Sequence, residues 1–153
     1  MAVFENYAQF STKKVARTLE LAVTELVGLR QNLLTTDFIL LALLAQPDAE
    51  PLKVLERLVP NAAETISRLR GAVLSHYQQA VPRQGNQILV SQDINEMFRL
   101  AQEEARQLGD SFIATGTLFL ALFDPLCGGA AHRPREAGLN PGFLGGGVPL
   151  NFG

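Results

Sequence analysis

Phe38-Ile39-Leu40-Leu41-Ala42-Leu43-Leu44 is the stretch on which the fold turns. It is apolar all round and short, so its period alone does not separate a buried strand from a buried helix. Its leucines and alanine favour helix, and Thr35 or Thr36 just ahead supplies a capping hydroxyl. A helix with no polar face has to be wrapped by other helices.

A second copy decides the reading. Leu118 to Phe123 follows Thr115 as the first run follows Thr36. A shift of 79 residues brings Leu21 onto Leu100, Ala22 onto Ala101, Glu25 onto Glu104 and Leu29 onto Leu108, without a gap. The same shift puts Thr36 on Thr115, Leu41-Ala42-Leu43 on Leu120-Ala121-Leu122, and Asn61 on Asn140. The chain is thus expected to be a duplicated helical unit, and self-similarity of this kind fixes architecture before any single element does.

Working outward, Val15, Leu19, Ala22, Leu26 and Leu29 recur at helical spacing, with Lys13, Arg17, Glu20 and Thr24 on the opposite face. Ile94, Phe98, Ala101, Ala105 and Leu108 repeat that stripe in the second unit, and Ser91 is the expected cap. Asn61 is expected to cap a further helix carrying Ile66, Leu69 and Val73. Val81 to Asn86 reads as a linker between the units. Composition shifts near Asp124, beyond which lie eight of the thirteen glycines and four of the eight prolines. Pro134 falls where a helix interior is expected, at a cost of roughly 3 kcal/mol if the helix persists. The expectation is all-α: two pseudo-symmetric four-helix repeats, about 10–80 and 89–140, within one domain over 1–140. The second is degenerate at its C-terminal end, and 141–153 is a flexible glycine-rich tail standing where a closing helix would be.

The 153 residues suffice for a real core, and 47% hydrophobic with 18% charged is globular composition. Thirteen basic against fifteen acidic residues give −2, which leaves no basic field for nucleic acid. The longest apolar run is too short to cross a bilayer, and Met1 to Phe10 carries no basic leader, so the expected location is cytoplasmic, away from membranes. One cysteine excludes a disulfide framework, and Cys127 has no histidine near it in sequence. His76 and His132 have no ligand at metal spacing, so no metal is expected. There is no G-x-x-x-x-G-K-[ST] loop, hence no ATP site, and no nucleophile–base pair. No cofactor and no catalysis are expected.

Phe10-Ser11-Thr12-Lys13-Lys14, the Ala22 helix and Thr36-Asp37-Phe38-Ile39-Leu40-Leu41-Ala42-Leu43-Leu44 together resemble the opening repeat of the Clp N-terminal domain. Ala101-Gln102-Glu103-Glu104-Ala105 followed by Gly109-Asp110-Ser111-Phe112-Ile113-Ala114-Thr115 is similar to the family's second repeat, and the G-D-x-F-I stretch looks most like the ClpB disaggregase branch. The resemblance covers about Phe10 to Asn140. It implies a non-catalytic binding domain ahead of the AAA+ ring of a Clp unfoldase. Such a domain takes up unfolded or aggregated substrates or an adaptor protein and passes them to the ring. The alternative it implies is a stand-alone accessory protein that docks on a Clp chaperone or protease and regulates it.

The resemblance also implies site residues. Family members that hold phosphorylated arginine use an acid in each repeat; here Asp37 stands in one and Gly116 in the other. Disaggregase-type substrate handling uses a hydroxyl, the aspartate of G-D and a second acid; Ser11 and Asp110 match the first two, and Gly116 lacks the third. Thr36 and Thr115 belong to the same motifs. Each has a plainer reading: Ser11 as a helix cap, Asp110 as a turn residue, Asp37 as an acid at a helix N-terminus. Phe4, Tyr7 and Phe10 recur at spacing three before the first helix. Phe10 reads as core, whereas Phe4 and Tyr7 either line an apolar groove for unfolded chains or staple the N-terminus to the core.

Overall fold

A computed structural model describes residues 7–83, 85 and 87–139. Phe4 and the expected tail over 141–153 lie outside the described residues. Thr12 opens the first helix, α1 (Lys13–Gly28), by accepting the Val15 amide at 3.3 Å. Val15, Thr18, Ala22 and Leu26 are buried on one face, with Leu19 and Leu29 packed at the margin of the core. The helix ends with Arg30 in the left-handed region (φ 55°), which lets the Gln31 amide return to Leu26 O at 3.1 Å.

The apolar run is α2 (Thr36–Leu44), and all nine of its residues are buried. Its leucines, Ile39 and Phe38 are the centre of the core, each worth about 1.5–3 kcal/mol of burial. The buried Gln46 just beyond it ties α2 to α1, donating through Nε2 to Thr18 Oγ1 (2.8 Å) and Ala42 O (3.1 Å). Next come α3 (Glu50–Leu58) and α4 (Ala62–Gln78). Asn61 caps α4 as expected, accepting the Glu64 amide at 3.1 Å, and α4 turns Thr65, Leu69 and Val73 inward.

The second unit has α5 (Gln92–Gln107), α6 (Thr115–Ala121), a 3-10 turn (Pro125–Cys127) and α7 (Gly129–Glu136). Adding 79 to the first residue of α1, α2 and α3 gives the first residue of α5, α6 and α7. The left-handed residue after α5 is Gly109 (φ 76°), the counterpart of Arg30. The described residues thus carry four helices in the first unit and three in the second.

α7 continues through Pro134, which stands buried in the helix interior as expected, without the amide that proline lacks. One expectation needs correction. Ser91 stands at the N-cap of α5 but its hydroxyl bonds Asp93 Oδ1 instead of a helix amide.

The units are also stitched by a pairing that the sequence did not announce. β1 (Leu33–Leu34) runs parallel to β2 (Leu89–Val90), with Leu34 opposite Val90. Ser11 bridges Ile113 in parallel as well. The 79-residue shift turns Leu34 into Ile113 and Ser11 into Val90, so each bridge is the other with the units exchanged. Each unit therefore lends the segment before its long helix to the other.

Candidate protein-binding surface

Thr36, Asp37 and Thr115, expected at a binding surface, are buried. The Asp37 carboxylate is gripped by Arg133 of α7, with Nε to Oδ1 at 2.7 Å and Nη2 to Oδ2 at 2.8 Å. Arg133 also donates to Glu136 at 2.5 Å. Burial alone pulls the guanidinium pKa down, but hydrogen bonds and charge from Asp37, helped by Glu136, carry it above its ordinary value. The Tyr77 hydroxyl reaches Asp37 Oδ2 at 3.4 Å and Thr35 at 3.0 Å, and its ring packs on Phe38 with centroids 4.8 Å apart. Burial first, then the Asp37 charge, push the Tyr77 phenol up to about 12 against a hydrogen bond from Thr35 that lowers it. Asp37 is thus committed inside the fold.

The counterpart cluster is built with its partners exchanged. Asp37 faces Gly129, where an added Cβ would stand 2.8 Å from Oδ2. The shift carries Asp37 to Gly116 and Gly129 back to Glu50. There Glu50 supplies the carboxylate, accepting the Gly116 amide at 3.2 Å and filling the space a side chain at 116 would need. The acid missing from the second motif is therefore replaced from α3, at the positive end of α6.

Thr36 and Thr115 diverge in the same way. The Thr36 hydroxyl lies 2.8 Å from Cys127 O and 3.1 Å from Asp93 Oδ2, and accepts the Ala130 amide at 3.1 Å. Thr115 Oγ1 is buried without a partner. The counterpart of Ala130 is Pro51, which has no N–H to offer, and the counterpart of Asp93 is Lys14, whose ammonium turns to Asp48 O at 3.3 Å.

Ser11, Phe10 and Asp110 gather elsewhere. Thr12, not Ser11, is the cap of α1, and the Ser11 hydroxyl donates to Tyr7 O at 2.8 Å. The Ile113 amide donates to Phe10 O at 2.6 Å and the Thr12 amide to Ile113 O at 3.0 Å, which locks the N-terminal segment beside the turn after α5. Phe10, expected in the core, is 39% exposed, and Phe112 is 53% exposed. The two rings flank a groove of about 320 Å³ floored by Ala105 and Ile113, with Gln102, Arg106, Asp110 and Ser111 around it. Tyr7 is half-buried and stacks on Phe98 (4.8 Å, 10° between planes), so it staples the N-terminal segment to α5.

Two residues that matter were not singled out in the sequence. Phe112 carried a signal, a large aromatic ring in a polar turn after Gly109-Asp110-Ser111. Arg133 carried none, because its partner lies 96 residues away.

Among the described residues no group of three or more His, Cys, Asp or Glu is placed to hold a metal, and no helix is long and apolar enough to cross a membrane. Cys127 is fully buried, its thiol donating to Ala121 O at 2.9 Å.

No curated protein matches the sequence. The crystal structure of the N-terminal domain of caseinolytic protease associated chaperone ClpD from Arabidopsis thaliana is similar in fold. It has a TM-score of 0.65 and 22% identity over 90% of this chain and 93% of that one. The family profile of the Clp repeat (R) N-terminal domain matches residues 10–133. Domains of this family bind and do not catalyse, and the 153 residues contain no AAA+ module. With the matched span running from the first repeat into the last described helix of the second, and the all-α fold shared, the chain belongs to the Clp N-terminal repeat domain family.

Proposed function

We propose that this domain receives unfolded or aggregated protein chains in the groove between Phe10 and Phe112 and hands them to the AAA+ ring of a Clp unfoldase. Two exposed phenylalanines lining one groove carry the reading. Exposed apolar surface attracts any chain that exposes apolar side chains, whatever its sequence. Asp110 and Arg106 at the rim supply polar contacts of both signs. Of the three positions that the disaggregase-type resemblance singles out, only Asp110 faces this groove as an exposed side chain. The Ser11 hydroxyl is engaged internally and Gly116 lies under Glu50. An adaptor protein would use the same groove.

Titration with reduced, carboxymethylated lactalbumin, a permanently unfolded chain, tests this. Binding is expected in the tens of micromolar, roughly 6 kcal/mol. Phe10→Ser and Phe112→Ser should each weaken it by about tenfold, which is near 1.4 kcal/mol. Leu126→Ser, at an exposed leucine outside the groove, should leave it unchanged. Equal affinity in all three variants would reject the proposal.

A further inference from the structure

The turn after α1 and the linker between the units meet at one corner of the surface. The Arg30 amide donates to Val27 O at 3.0 Å, the Arg83 amide to Arg30 O at 2.9 Å, and Gln31 Nε2 to Val81 O at 3.3 Å. β2 closes the corner, with Leu89 opposite Leu33 and its amide on Asn32 O at 2.8 Å. Three large apolar side chains stand exposed here: Val27 (63%), Val81 (79%) and Leu89 (54%). An open hollow of about 420 Å³ lies beside Leu89, between Asn32, Gly85 and Gln87. Arg30 and Arg83 are exposed at the same corner, and neither is in an ion pair among the described residues. Neither 26–36 nor 79–92 contains an aspartate or glutamate.

Arg30 holds the left-handed conformation (φ 55°) that its counterpart Gly109 (φ 76°) takes without a side chain. The turn is closed alike in both units, by the Gln31 amide on Leu26 O and the Asp110 amide on Ala105 O, so it does not need a guanidinium. An arginine is kept there at a conformational cost that glycine avoids. The 79-residue shift also places Leu33 and Leu89 on Phe112 and Phe10, but puts Val27 where Arg106 stands and Gln31 where Asp110 stands. The Phe10–Phe112 groove carries both signs of charge, whereas this corner carries only positive ones.

We infer that this corner is a docking surface for a short acidic segment of a partner protein. Apolar side chains of that segment cover Val27, Val81 and Leu89, and its carboxylates meet Arg30 and Arg83. Charge selects the occupant: two guanidiniums beside apolar surface, without a counter-charge among the described residues, are complemented by carboxylates on an apolar segment. An anionic lipid surface fits less well, because the chain carries −2 overall and two arginines do not make the polybasic cluster such a surface attracts. The chain's own 140–153 stretch holds no acidic residue. The surface does not depend on the receptor reading of the Phe10–Phe112 groove.

The test adds a fluorescein-labelled peptide of alternating leucine and glutamate to the full chain, with a leucine–lysine twin as the control. The readouts are anisotropy and amide NMR shifts. The glutamate peptide should shift Val27, Arg30, Gln31 and Leu89, and the lysine twin should not. Arg30→Gly suits the left-handed turn and Arg83→Gln lies in an exposed linker, so both keep the fold. Each should weaken binding by about fivefold, and together they should flatten its salt dependence. Leu89→Ser should weaken it by about tenfold. Arg57→Gln, at an exposed arginine beside the exposed Leu58, should leave it unchanged. Equal affinity for the lysine twin, unchanged affinity in both arginine variants, or no shifts at the named residues up to about 1 mM peptide overturns the proposal. So do shifts confined to Phe10 and Phe112, which would report the other groove. Co-sedimentation with vesicles of phosphatidylcholine and phosphatidylserine, without peptide binding, overturns it in favour of a lipid surface. Binding that appears only after residues 1–6 are removed also overturns it, because the chain's own start would then be the occupant.

Discussion

Arg133 and Asp37 stand 96 residues apart in the chain and meet in a buried two-pronged ion pair, 2.7 and 2.8 Å, that joins α7 to the first turn of α2. One carboxylate thereby serves three ends: it faces the N-terminus of the central helix, neutralises a buried guanidinium and accepts from Tyr77. The pair ties the last described helix to the core of the first unit.

Removing one partner leaves the other charge buried. Asp37→Asn and Arg133→Met should each lower unfolding free energy by about 3–5 kcal/mol. The double variant Asp37→Leu/Arg133→Met should lose clearly less than the two single losses summed. Urea unfolding of the set measures the coupling; strict additivity would show that the pair contributes nothing as a pair.

The two threonines should respond oppositely to the same change. Thr36→Val deletes a hydroxyl with three neighbours and should cost about 1–3 kcal/mol. Thr115→Val deletes a buried hydroxyl without a partner and should be neutral or stabilise by up to about 1 kcal/mol. A comparable loss at both sites in thermal unfolding would contradict this account of the repeat's asymmetry.

Glu50 and Gly116 form a second such test. Glu50→Ala removes the carboxylate that accepts the Gly116 amide, at an expected cost of about 0.5–1.5 kcal/mol. Gly116→Asp in that background restores an acid to the same place and should recover most of the loss. In the unaltered chain the same substitution drives Glu50 out and brings a like charge beside it, so no gain is expected. A gain of equal size in both backgrounds would show that Glu50 does not occupy the site.

Alkaline stability follows from two groups that are neutral when protonated. Burial, then the charges of Asp124, Asp93 and Glu96, push the Cys127 thiol from 9.0 to about 12. Tyr77 is raised from 10.0 to about 12, mainly by burial. The folded chain holds both protons more tightly than the unfolded chain, so their contribution is complete below pH 9 and is lost as pH climbs towards 12. Cys127→Ala should postpone the onset of that decline from about pH 9 to about pH 10, followed by circular dichroism across a pH series. An unchanged onset would mean the thiol is not held protonated by the fold.

Much of the fold was legible because it is carried by short-range pattern. The stripe from Val15 to Leu29, the Asn61 cap and the 79-residue repeat each rest on residues a few turns apart or on direct comparison of two stretches. The site was less legible. Asp37 reads in sequence as a binding acid or an acid at a helix start, because nothing near it signals Arg133. Phe10 reads as core from its match to the family's apolar position, yet it is partly exposed and lines one surface groove with Phe112.

The sequence by itself determined two copies of a helical unit, each about a central rod of apolar residues, since hydrophobic period and self-similarity are local properties of the chain. Only the tertiary structure decided which polar groups are free to meet a partner. The crossed Leu34–Val90 and Ser11–Ile113 bridges bring residues from opposite units together. In the resulting low-dielectric interior a charge is tolerated only with its counter-charge in contact. That long-range pairing closes the Asp37 cluster and leaves the Phe10–Phe112 surface open.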